Sequence, residues 1–129
     1  MSDTAESIVR KFLAAWKRPD LDELVSFFGD DAIVIDPRGT HNGIEAIKTE
    51  LHSVLKVYSS FTVEVKTLVA NGRTVMTERV DKFEVRGKPF GLEVAAVCEL
   101  DSDSRITRWR DYYDLRSLEN QIAALAPPS

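Results

Sequence analysis

Hydrophobic positions follow two rhythms along the chain, a helical one in the first half and a two-residue one in the second. Ile8, Val9, Phe12, Leu13 and Trp16 fall on one stripe, which predicts a helix over 4–17 capped by Thr4 or Asp3. Pro19 stops it, and Asp20 with Glu23 opens a shorter helix that runs through about Phe28. AIVID (32–36) reads as a short strand ended by the turn chemistry of PRGTHNG. A third helix follows over 43–57, with Ile44, Ile47, Leu51, Val54 and Leu55 inward.

From there alternation takes over. Phe61, Val63 and Val65 start one strand, and Asn71-Gly72 marks a hairpin. VMTERVDKFEV (75–85) is the next strand, RGKP a turn, and FGLEVAAVCEL (90–100) the returning strand. DSDS turns the chain again before ITRWRDYYD (106–114), and SLENQIAAL closes with a short helix. Helices first and then strands in hairpin succession predict an α+β fold of one domain, 1–129. Its curved, mostly antiparallel sheet carries the N-terminal helices over a concave face, leaving a cone-shaped pocket between the layers.

The strand at 75–85 holds an anomaly. Val75, Thr77, Phe83 and Val85 share the more apolar face, and Arg79 and Asp81 sit in the middle of that face. The strand at 106–114 repeats it, with Thr107, Trp109, Asp111 and Tyr113 on one side and Ile106, Arg108, Arg110 and Tyr112 on the other. Parity alone leaves open which side is inward; the Trp109 side would bring Asp111 to Arg79 and Asp81. Asp36 shares a face with Val34 at the pocket rim. A structural salt bridge is the simplest account of such a set. Yet each buried ion forfeits several kcal/mol of solvation, so three acids around one guanidinium make a poor device for stability alone. Relief comes if one carboxyl keeps its proton, and a protonated acid beside an ionised one is an acid–base couple.

Composition narrows the field. With 129 residues, 43% hydrophobic, the chain can build its own core. Net charge is −4 with scattered cations, which excludes the basic face of a nucleic-acid binder. No apolar run is long enough to span a bilayer, so no membrane partner is expected. MSDTAESIVRKF lacks the layout of a signal peptide, and the single cysteine, Cys98, fits a reducing, cytoplasmic setting as a core residue. The terminal APPS reads as a loose tail. His41 and His52 are expected in surface or capping roles. A metal site built from Asp36, His41, Asp81 and Asp111 is disfavoured because Arg79 would repel the cation.

TERVD (77–81) together with WRDYYDLR (109–116) resembles the limonene-1,2-epoxide hydrolase family, a branch of the nuclear-transport-factor-like, SnoaL-like α+β cone proteins. The resemblance implies a one-step opening of an epoxide by water, with no metal, cofactor or covalent intermediate. Asp111 would take the proton from water, Asp81 would protonate the epoxide oxygen, and Arg79 would bridge them. It also implies a homodimer. The family holds its water with a tyrosine and an asparagine two residues apart, and Val34 and Asp36 occupy those places here. The lining expected from the residues is Val63, Phe83, Leu92, Val94, Trp109, Tyr113 and Leu118, suited to a small apolar, terpenoid-like epoxide. Two other readings stand beside it. One is a proton-transfer isomerase, dehydratase or cyclase using Asp36 as base and Tyr113 as donor. The other is a non-catalytic binding module.

Overall fold

The computed structural model describes residues 4–125. Thr4 caps the first helix, α1 (Ala5–Ala15), its Oγ1 accepting from the Ser7 amide at 3.1 Å. Asp20 caps α2 (Leu21–Ser26) in the same way through the Glu23 amide at 3.0 Å. Asp3 and the terminal APPS, singled out in the sequence, lie outside the described residues.

The second helix stops two residues earlier than its sequence pattern suggests, because Phe28 already begins β1 (Phe28–Asp36). The larger difference lies in PRGTHNG. Asp36 turns back on itself, its Oδ1 accepting from the amides of Arg38 at 2.7 Å and Gly39 at 3.2 Å. That turn does not end the sheet but makes a tight hairpin, and Gly39–Asn42 returns as β2 against β1. Polar side chains on a short edge strand leave no apolar alternation to read, so the strand escapes a hydrophobic pattern.

After α3 (Ile44–Val57) come β3 (Ser59–Asn71), β4 (Thr74–Val85), β5 (Lys88–Leu100) and β6 (Ile106–Tyr112). Two-residue loops join β3 to β4 at Gly72-Arg73 and β4 to β5 at Arg86-Gly87. Gly72 has φ +61° and Gly87 φ +78°, the left-handed backbone such turns require. The sheet order is β2-β1-β6-β5-β4-β3, antiparallel except where β1 runs parallel to β6. Asp114 ends β6 by capping α4 (Leu115–Ala123) through the Ser117 amide at 3.0 Å, so the last strand is shorter than its pattern.

The core is one cluster between α1, α2 and the sheet, with Val9, Leu24, Phe28, Ile47, Val75, Cys98, Ile106 and Trp109 among its buried members. Phe12 ties the layers together, its ring 5.3 Å from Phe28 and 5.0 Å from Trp109. Cys98 is fully buried and burial pushes its thiol up to about 12, consistent with an unreactive core residue. A smaller cluster of Phe83, Val85 and Leu118 sits where α4 covers the far end of the sheet.

Both Ile106 and Trp109 are buried, although parity sets them on opposite faces. Glu99 pairs with Arg108 and Leu100 with Ile106, so Thr107 is an extra residue in a β-bulge. The bulge lets Ile106 fill the core while Trp109 and Asp111 keep the concave face. Ile106→Ala should therefore cost about 2–5 kcal/mol of stability. Urea unfolding measures this directly, and a loss below about 1 kcal/mol would contradict a core position for the side chain.

Candidate active site

The concave face of the sheet encloses a cavity of about 190 Å³. Its walls are aromatic and aliphatic, with Phe12, Trp16, Phe28, Tyr58, Phe61 and Phe83 among them, and Trp16 meets Phe61 at 5.0 Å between ring centroids. The polar groups that reach it include Arg79, Asp81, Asp111, Asp36, Glu50 and Tyr113.

Arg79 is the centre of the polar part. It is 5% exposed and donates from Nε to Asp81 Oδ1 at 2.7 Å and from Nη2 to Asp81 Oδ2 at 3.2 Å. The same Nη2 donates to Asp111 Oδ1 at 3.0 Å, so one guanidinium bridges two carboxylates on strands that are not neighbours. Between them runs β5, where Ala96 pairs with Thr77 on one side and Asp111 on the other. A methyl group at that crossing leaves the guanidinium room to pass. Trp109 completes the set, its Nε1–H donating to Asp111 Oδ1 at 2.8 Å and its ring centroid 5.7 Å from the Arg79 guanidinium carbon.

These contacts decide the protonation chemistry. Burial would lower the Arg79 pKa, but the charges of Asp111 and Asp81 outweigh it and raise it, so this group stays a fixed cation. Burial pushes the Asp111 carboxyl above its ordinary range, and the negative charge of Asp81 adds to the effect; the Arg79 charge and the Trp109 bond oppose it. Asp111 therefore holds a proton more tightly than a surface aspartate. Tyr113, lining the cavity nearby, is pushed up to about 12 by burial and then by the charge of Asp36. Its hydroxyl stays protonated, a donor rather than an anion.

The structure brings together most of the residues singled out in the sequence. Val34, Asp36, Val63, Phe83, Leu92, Trp109, Tyr113 and Leu118 all line the cavity with the charged trio. Val94 does not. It is buried opposite Arg79 in register and lies outside the lining, because the arginine side chain occupies the cavity-facing position on that rung. Sequence pattern missed Arg38, Glu50 and Tyr58. Arg38 follows the turn that looked like a strand end, and its Nη2 donates to the Tyr58 hydroxyl at 3.1 Å across the cavity mouth. Glu50 is a charged residue between apolar turns of α3, where nothing in the spacing sets it apart from a solvated helix face. His41 is also more than a surface residue: it is partly buried on β2, with Nε2 3.7 Å from both Asp36 Oδ2 and Glu50 Oε2.

With this arrangement in place, the chain matches the SnoaL-like domain family over residues 9–109. The protein belongs to that family. It is 30% identical to the epoxide hydrolase EphG of Mycobacterium tuberculosis, over 94% of this chain and 83% of that one. Among solved structures, an epoxide hydrolase of M. tuberculosis like the limonene enzyme superposes with a TM-score of 0.77 at 29% identity, covering 96% of both chains. A protein of ketosteroid isomerase-like fold from Catenulispora acidiphila, solved with trimethylamine, gives 0.78 at 26% identity over 88% of this chain and 90% of that one. The SnoaL-like family and the mostly antiparallel α+β cone expected from the sequence are both shown, and the chain is a homologue of an epoxide hydrolase.

One consequence is a pH signature. If Asp111 must be ionised to act, activity falls as pH drops through its raised pKa. Trp109→Phe removes a hydrogen bond that stabilises the ionised form, so the pKa should rise further. The acidic limb of log(kcat/KM) against pH should move to higher pH in the variant; an unmoved or downward-shifted limb would rule out this role for the indole N–H.

Proposed function

We propose that the protein is a hydrolase that converts a small apolar, terpenoid-like epoxide into a vicinal diol by direct attack of water. The observation that carries this reading is a permanently charged guanidinium bridging two carboxylates inside an apolar cavity. Such a set holds one mobile proton in place. Two ionised acids with one cation would leave a surplus negative charge in a medium that solvates it poorly, so one acid rests protonated.

Asp111 is the base. Its Oδ1 already accepts from Arg79 and Trp109, while Oδ2 has no protein hydrogen bond among the described residues and can take a proton from water. Its raised pKa makes it a stronger base than an ordinary carboxylate. Asp81 is the acid: both its oxygens face Arg79, at 2.7 and 3.2 Å, and it must carry the proton at the moment water attacks. As water attacks the ring carbon, its proton passes to Asp111, the C–O bond breaks, and the Asp81 proton reaches the leaving oxygen. The diol departs, and proton exchange from Asp111 back to Asp81 through solvent restores the start. Each positioned transfer is worth about 10²–10⁴-fold. Every step uses a carboxylate, so this mechanism needs no metal and no cofactor.

Water positioning differs from the tyrosine–asparagine arrangement of the limonene enzymes. Val34 offers only an apolar wall, and Asp36 has committed Oδ1 to the Arg38 and Gly39 amides. The Tyr113 hydroxyl, a donor lining the same cavity, is then the group left to steer water toward Asp111. The same reading carries a homodimer working in the cytoplasm.

Single turnover in ¹⁸O-labelled water with limonene oxide and a panel of cyclic and aliphatic epoxides tests it. Diol bearing one label is expected from the native protein, with Asp111→Asn and Asp81→Asn each slowed by at least about 10²-fold. Unlabelled oxygen in the first turnover would mean a covalent ester instead. No diol from any epoxide would move the assignment to Asp36 as a carbonyl-side base with Tyr113 as donor, since both line the same cavity.

A further inference from the structure

We infer that Asp36, His41 and Glu50 form a binding site for one zinc-type divalent cation at the rim of the cavity, separate from the Arg79 trio. The three come from different elements: Asp36 from the end of β1, His41 from β2 and Glu50 from α3. Their ligand atoms all lie within 4.8 Å of one another. His41 Nε2 is 3.7 Å from Asp36 Oδ2 and 3.7 Å from Glu50 Oε2, beyond hydrogen-bond reach of either.

The decisive atom is that nitrogen. Nε2 is buried and has no hydrogen-bond partner, which is an unfavourable state for a polar atom. A bare cation of the zinc type takes its ligands at about 2.0–2.2 Å. Four such ligands in a tetrahedron stand about 3.4 Å apart, so the 3.7 Å spacings close with shifts of a few tenths of an ångström. Asp36 is also aimed: its turn fixes Oδ1 on two backbone amides and leaves Oδ2 toward His41. Two carboxylates balance a dipositive ion. Arg38 also feels the charge of Asp36, but its guanidinium is turned to the Tyr58 hydroxyl at 3.1 Å.

Donor type selects the metal. An imidazole with two carboxylates suits Zn²⁺ and its transition-metal neighbours, whereas Ca²⁺ and Mg²⁺ favour all-oxygen shells. A bound ion would fasten the β1–β2 hairpin to α3 beside the cavity mouth, so its binding should appear as added stability. The test is titration of ZnCl₂ into chelator-treated, tag-free protein by calorimetry, paired with thermal unfolding. Saturable binding of one ion per chain is expected, with a rise in Tm. His41→Ala and Glu50→Gln should each weaken binding by about 10-fold or more and remove the rise. MgCl₂ should produce neither. No saturable zinc binding, or binding left unchanged by both variants, overturns the site. Should His41→Ala fail to fold, Glu50→Gln decides alone. The outcome is independent of whether epoxides are substrates.

Discussion

A buried guanidinium that cannot lose its proton imposes a demand on everything around it. Arg79 must meet negative charge at short range, and it meets two carboxylates from two strands. One lies two residues along the same strand, so strand geometry supplies it locally. The other lies across β5, and its approach depends on the small side chain at Ala96 and on the register of β5 with β6. The bulge at Thr107 serves the same end, since it keeps Asp111 and Trp109 on the concave face while Ile106 fills the core. Removing one partner from such a set typically costs about 3–5 kcal/mol, because the other charge is left buried and uncompensated.

Around this polar centre the cavity is apolar, and the contrast gives the site its chemistry. A run of aromatic contacts walls it, from Trp109 and Phe28 through Phe12, Trp16 and Phe61 to Phe83 and Tyr58. Low local polarity raises the proton affinity of Asp111 and strengthens its attraction to Arg79 at once. The SnoaL-like cone is a shared scaffold, and solved structures at lower identity carry the same fold. What separates functions within it is which side chains the concave face presents. Here the concave face presents a pair of carboxylates bridged by one guanidinium.

Much of this could be read from residue order, because strands announce their faces. Arg79 and Asp81 had to point inward once Val75, Phe83 and Val85 did, and the two-residue loop after Asn71 set the register. Parity failed where the backbone departs from regular pleating: Ile106 belongs to the core through a bulge that no local pattern marks. The β2 strand went unread because it is short and polar, and Val94 was placed in the cavity because parity gives a face without showing that Arg79 already fills it. Glu50 and Tyr58 reach the cavity from α3 and its C-terminal cap. Their roles depend on how a helix is rotated over a sheet, a matter settled by packing between distant segments.

The strand order has a consequence in time. Because β6 inserts between β1 and β5, the first strand and the last must find each other before the sheet is complete. Arg79 and Asp111 are 32 residues apart, so a chain emerging from the ribosome carries its arginine well before its second acid. Until β6 docks, the sheet is split into β1–β2 and β3–β5, each with an open edge, and the guanidinium has only one counter-charge. Long-range pairings of this kind form slowly, and the cavity wall is incomplete until this one is made. Ordering of the final strand thus ties the arrival of the proposed acid–base pair to completion of the fold, so no partly folded chain presents a working pair to solvent.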